Sequence, residues 1–87
     1  MKTILFDETC TGWTKFVDAN VLYLGLQRDY LNDLLIARGY VYLNDIYESL
    51  GAKWNPDDEN ICYRSENGPI VITFEPAGKG NHLVIIH

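Results

Sequence analysis

The chain has 87 residues, of which 47% are hydrophobic, with a net charge of −5 and a pI near 4.7. That length specifies one small domain, and that apolar content excludes intrinsic disorder. The seven Lys and Arg are scattered from Lys2 to Lys79, which argues against holding nucleic acid or an anionic membrane through phosphates.

The N-terminal Met1-Lys2-Thr3-Ile4-Leu5-Phe6 begins like a signal peptide, but Asp7 and Glu8 end its apolar run too early. No stretch approaches the roughly 20 apolar residues that span a bilayer, so the expected location is the cytoplasm. Cys10 and Cys62 are too few for a disulfide scaffold, and a reducing compartment leaves them as thiols. A Cys10–Cys62 bridge would require their strands to align.

Residues 3–6 are rich in strand formers and predict a short strand. A turn follows, and residues 13–17 alternate loosely enough to pair back as a weaker strand. Asp18-Ala19-Asn20 offers N-cap chemistry. Residues 21–26 alternate like a strand and contain Gly25, whereas from Gln27 the period becomes helical. Leu24, Leu31 and Leu35 fall on one stripe, flanked by Tyr23, Tyr30 and Leu34, while Arg28, Asp29, Asn32 and Asp33 lie opposite. Gly39 stands where a left-handed C-cap belongs.

Tyr40-Val41-Tyr42 is too short to bury itself, but it can pair with another strand. Asn44 is a candidate N-cap for a second helix over 45–50, whose apolar stripe is Ile46, Tyr47 and Leu50, and Gly51 ends it. Residues 52–60 form a polar loop carrying Asp57-Asp58-Glu59. Residues 61–64 predict a strand, and Ser65-Glu66-Asn67-Gly68-Pro69 predicts a hairpin turn into a strand over 70–75, with Ile70, Ile72 and Phe74 facing inward. Pro76 to Asn81 is a second turn. His82-Leu83-Val84-Ile85-Ile86 is apolar on both faces, which suits a central strand or one covered by a partner.

No chemistry stands out. Cys10 or Cys62 with His82 or His87 as base would make a thiol enzyme, but nothing flanking either Cys activates it. Two Cys and two His lack the close spacing of a zinc site. Asn55, Asp57, Glu59 and Glu66 imitate a calcium loop, yet a strand follows where a helix belongs, and a solvated acidic loop is the better reading. Gly78-Lys79-Gly80 is a plain turn, not a phosphate cradle. Asp29, Asp33, Asp45 and Glu48 read as an ordinary wet helix surface. No catalytic residue, metal ligand or cofactor is expected.

The run Leu31-Asn32-Asp33-Leu34-Leu35, Gly39-Tyr40-Val41-Tyr42-Leu43-Asn44-Asp45-Ile46-Tyr47-Glu48-Ser49-Leu50-Gly51 resembles a family of small uncharacterised proteins and protein tails. These occur in phages and integrative elements of Gram-positive, often gut, bacteria. The family pattern is LND, then GY, then LND-x-Y and LG, followed by a Val-Gly-Trp to which Ile61-Cys62-Tyr63 corresponds. Cys62 and Tyr63 replace that Gly and Trp, which removes support for any role specific to the pair. The resemblance covers residues 20–87 and implies a helix over 20–38, but no activity.

The expected fold is α+β, a single domain over residues 1–87. A long and a short helix, the module of residues 20–51, pack on a small antiparallel sheet of three or four strands built from 61–64, 70–75 and 82–86, with 3–6 at an edge. Leu31, Leu34, Leu35, Ile46 and Leu50 should be buried together with Ile72 and Phe74. The expected function is a non-enzymatic protein-interaction module, an accessory protein of a mobile element. Its partner would be another protein or a second copy, met through a surface including Tyr63, Val84 and Ile86, with Leu83 and Ile85 as the alternative face of the last strand. The alternatives are an acidic decoy that blocks a nucleic-acid-binding protein and, with least support, a thiol-dependent enzyme.

Overall fold

A computed structural model describes residues 1–87. Five strands and two helices follow in the order β1 (Lys2–Phe6), α1 (Val17–Arg38), β2 (Tyr40–Tyr42), α2 (Leu43–Ser49), β3 (Cys62–Arg64), β4 (Ile72–Pro76) and β5 (His82–Ile86). The fold is α+β, with one long and one short helix, but its strands form two antiparallel sheets. One has the order β1-β5-β4, and the other pairs β2 with β3.

Helix α1 runs unbroken through the segment whose alternation suggested a strand. Leu24, Leu31 and Leu35 are buried on one stripe of it, and burying that stripe outweighs the cost of Gly25. Its N-cap is Phe16, not a residue of 18–20, and of the expected strand over 13–17, residues 13–16 form a loop and Val17 opens the helix. Asn20 is fully buried and acts as a clamp. Its Oδ1 accepts from the Thr14 N–H at 2.9 Å, and its Nδ2 donates to the carbonyls of Thr14 at 2.8 Å and Gly80 at 3.0 Å. The helix ends as expected: Gly39 adopts φ 87° and donates its N–H to the Leu35 carbonyl at 2.7 Å.

Helix α2 starts at Leu43, two residues earlier than an N-cap at Asn44 implies. Its N-cap is Tyr42, whose N–H is caught by the Asp45 carboxylate at 2.8 Å, and Asn44 is buried within the helix. The Tyr23 hydroxyl donates to the Ser49 carbonyl at 2.6 Å, tying α1 to the end of α2. Leu31, Leu35, Ile46, Leu50 and Ile72 share one core with Ile4, Phe6, Val41, Leu43, Val84 and Ile86, and Leu34 and Phe74 pack half-buried against it.

The expected hairpin at Asn67-Gly68 does not form. Cys62 to Arg64 pairs instead with Tyr40 to Tyr42, in the register Val41↔Tyr63. Residues Ser65–Asn67 make a 3-10 turn, and the chain then crosses to α1. There Asn32 grips the backbone of Ile70, accepting its N–H at 2.8 Å and donating to its carbonyl at 3.2 Å. That grip satisfies backbone groups a β3–β4 hairpin would otherwise have paired. Strand β4 instead turns through Gly78, Lys79 and Gly80, all at positive φ, into β5. No helix is long and apolar enough to cross a membrane.

The acidic loop is anchored rather than freely solvated. Asp58 is buried, pairs with the Lys2 ammonium at 2.8 Å, and accepts from the Tyr47 hydroxyl at 3.1 Å and Asn55 Nδ2 at 3.2 Å. The hydrogen bond from Lys2, helped by those from Tyr47 and Asn55, holds the Asp58 carboxyl below the usual carboxylate range despite its burial. The stability this gives is complete above the unfolded value of about 4 and drains away as pH falls through the depressed folded value. Acid titration of wild type against Asp58→Asn should therefore show the wild type's advantage in melting temperature at neutral pH shrinking below about pH 4. A constant gap down to pH 2 would contradict this assignment.

Candidate interaction surface

Strand β5 lies between β1 and β4, and its alternation puts its two faces in different environments. His82, Val84 and Ile86 are buried and point toward the helices, whereas Leu83 and Ile85 are only half-buried on the other face. Val84 and Ile86, expected at a contact surface, are therefore core residues. The reason is register: Ile4 and Phe6 on β1 and Ile72 on β4 are buried beside them, so one face of all three strands closes on α1 and α2. The surface property falls to Leu83 and Ile85. Tyr63 is half-buried against the core, and burial raises its phenol's pKa.

The outer face of this sheet has no covering element. Across it run the rows Thr3–Ile85–Thr73 and Leu5–Leu83–Glu75, with Val71 just beyond. Leu5 is 48% exposed and Val71 55%. His87 closes the corner, its Nε2 lying 2.9 Å from Thr73 Oγ1. Glu75 is the single formal carboxylate in those two rows, so the face is nearly neutral on an acidic protein. Leu22, Leu26 and Tyr30, four residues apart on α1, form a second exposed apolar line on the side of the helix away from its buried stripe.

The thiols are not brought together. Both are free; Cys10 is buried and its Sγ lies 3.7 Å from the Leu5 carbonyl. Cys62 is half-buried at a shallow cleft of about 310 Å3 shared with Tyr63, Arg64 and His87. The thiol there lies 3.7 Å from the Tyr63 carbonyl, while the His87 ring is engaged by Thr73, so no base is hydrogen-bonded to the sulfur. The acidic helix face is also interrupted, because Asp45 is paired with Arg38 at 2.7 Å.

A family model, the family of unknown function DUF6353, matches residues 1–84. The chain belongs to the DUF6353 family. The match takes in residues 1–19, which the resemblance noted above left outside, and the structure supplies the reason. Strand β1 pairs along its whole length with β5 and contributes Ile4 and Phe6 to the core, so this DUF6353 fold needs its N-terminal strand. No curated protein and no solved structure matches the chain.

The sheet's outer face was only partly legible. Alternation of β5 showed that two apolar faces existed, but which one turned outward depended on the partners' registers. The α1 line of Leu22, Leu26 and Tyr30 is hidden in the sequence because residues 21–26 alternate like a strand, and Tyr30, expected to flank the buried stripe, is instead 54% exposed.

Proposed function

We propose that this chain is a non-enzymatic protein-interaction module whose contact surface is the outer face of the β1-β5-β4 sheet. The observation that carries the reading is the uncovered patch of Leu5, Leu83 and Ile85 with Val71, on a domain too small to cover it with its own chain. The occupant is a second copy. The face is nearly neutral on a chain of net charge −5, so two copies meeting there bring their acidic surfaces together least. A face of this kind closes by two-fold symmetry, the same patch meeting itself. On the resemblance of its sequence to proteins of phages and integrative elements, the module serves as a cytoplasmic accessory protein of such an element.

The decoy reading has less support. Asp58 is buried and paired with Lys2, and Asp45 is paired with Arg38, which breaks up any continuous acidic stripe. The thiol-enzyme reading lacks a base hydrogen-bonded to either sulfur.

The test is light scattering on wild type and on the double variant Leu5→Glu/Val71→Glu, both exposed positions. Wild type should be a dimer at micromolar concentration. The variant should dissociate about a hundredfold more readily, because each Glu would be buried unpaired, while its circular dichroism is unchanged. A wild type that stays monomeric at hundreds of micromolar, or a variant that dimerises normally, would overturn the second copy as occupant.

A further inference from the structure

A separate small cleft, of about 150 Å3, opens where the start of α2 faces the acidic loop. Tyr42, Asn44, Asp45, Trp54 and Glu59 line it. Two aromatic side chains and two carboxylates thus converge on one opening. Trp54 is 56% exposed and Tyr42 43%, so both rings present surface at the opening. Ligand sites for whole small molecules run roughly 300–1,000 Å3, so this volume suits the head of one side chain rather than a cofactor.

Only part of the charge there is already paired. Asp45 Oδ2 accepts from Arg38 Nη2 at 2.7 Å and from the Tyr42 N–H at 2.8 Å, but its other oxygen has no partner in the protein. Glu59 is exposed and makes no ion pair. Asn44 is buried, with Oδ1 accepting from the Asn55 N–H at 3.3 Å and its Nδ2 free to donate to an incoming carbonyl. The molecule shows beside the cleft what such a lining accepts. The Arg38 guanidinium lies 4.5 Å from the Tyr40 ring centroid while it pairs with Asp45. Tyr42 and Trp54 line the cleft together with the same Asp45, and Glu59 adds a second carboxylate.

We propose that this cleft binds an arginine side chain of a partner protein, its guanidinium held against Trp54 and Tyr42 and paired with Glu59 and the free oxygen of Asp45. Arginine suits it better than lysine because a planar guanidinium both stacks on a ring and bridges two carboxylates. The site is independent of the sheet face, so it stands or falls apart from the dimer.

The probe is a blocked Gly-Arg-Gly peptide titrated into the isotopically labelled protein and followed by NMR. The Trp54 indole N–H and the amides of Asp45 and Glu59 should shift saturably, while the Trp13 indole stays in place. Blocked Gly-Lys-Gly should bind more weakly and the citrulline peptide not at all. Free arginine, whose own carboxylate faces Glu59, should bind less well than the blocked peptide. Glu59→Gln and Trp54→Ala, at exposed positions whose folding the same spectra verify, should each weaken the arginine peptide about two- to fivefold. No saturable shift, equal shifts from citrulline, or an affinity indifferent to both variants would overturn the assignment.

Discussion

Leu35→Ala is expected to lower stability by about 2–5 kcal/mol. Leu35 is 2% exposed, and it meets the buried side chains of both helices and the inner sheet face in one core. Truncation removes the transfer energy of its methyl groups and leaves a cavity that a helix anchored at both ends cannot easily fill. At one end the Gly39 N–H binds the Leu35 carbonyl itself, and at the other Asn20 holds the entry loop. Domains of this size have about 5–15 kcal/mol in total, so the variant should approach half-unfolding under mild denaturant. Urea titration measures it, with Ile36→Ala as the control. Ile36 is the next residue, 78% exposed, and its truncation should change stability by no more than about 0.5 kcal/mol. Similar losses at the two positions would contradict the observed helix orientation.

Gly51→Ala should be the second large effect, from two separable causes. Gly51 has φ 71°, a conformation in which an L side chain costs roughly 1–2 kcal/mol. Its backbone is also crowded: the Thr11 N–H donates to the Gly51 carbonyl at 3.1 Å, and an added Cβ would overlap the Thr11 side chain and lie 2.7 Å from the Thr11 nitrogen. Overpacking of this kind adds about 1–3 kcal/mol, because backbone, not a flexible side-chain tip, must move. Gly39→Ala separates the two causes. Gly39 is also left-handed, with φ 87° and ψ −8°, but an added Cβ there would meet nothing closer than 3.9 Å, so only the conformational part should appear. Equal melting temperatures for the two variants would show that the loop before α1 does not seal the end of α2.

The two glycines also mark where local reading stops. That Gly39 and Gly51 end helices follows from backbone sterics alone, and both adopt positive φ. Why a methyl group at Gly51 would also be crowded follows only from the arrival of Thr11, forty residues away in the chain. Asn44 and Asp58 read as a cap and a solvated acid from their neighbours. Each is buried because a distant segment reaches it, Asn55 in one case and Lys2 in the other.

What the sequence by itself determined is whatever short-range physics dictates. That includes the helical stripe of Leu24, Leu31 and Leu35, the left-handed ends at Gly39 and Gly51, the alternation of Ile70, Ile72 and Phe74, and the turn through Gly78 and Gly80. Only the tertiary structure decided which strands pair and which faces turn outward. Asn67-Gly68 is a competent hairpin turn, yet β3 joins β2, because Val41 gains full burial there and Asn32 satisfies the backbone of Ile70 elsewhere. Likewise both faces of β5 are apolar, and only its registers with β1 and β4 put Val84 and Ile86 in the core and leave Leu83 and Ile85 outside. Partner choice compares the burial gained by segments far apart in sequence, and no local pattern carries that comparison.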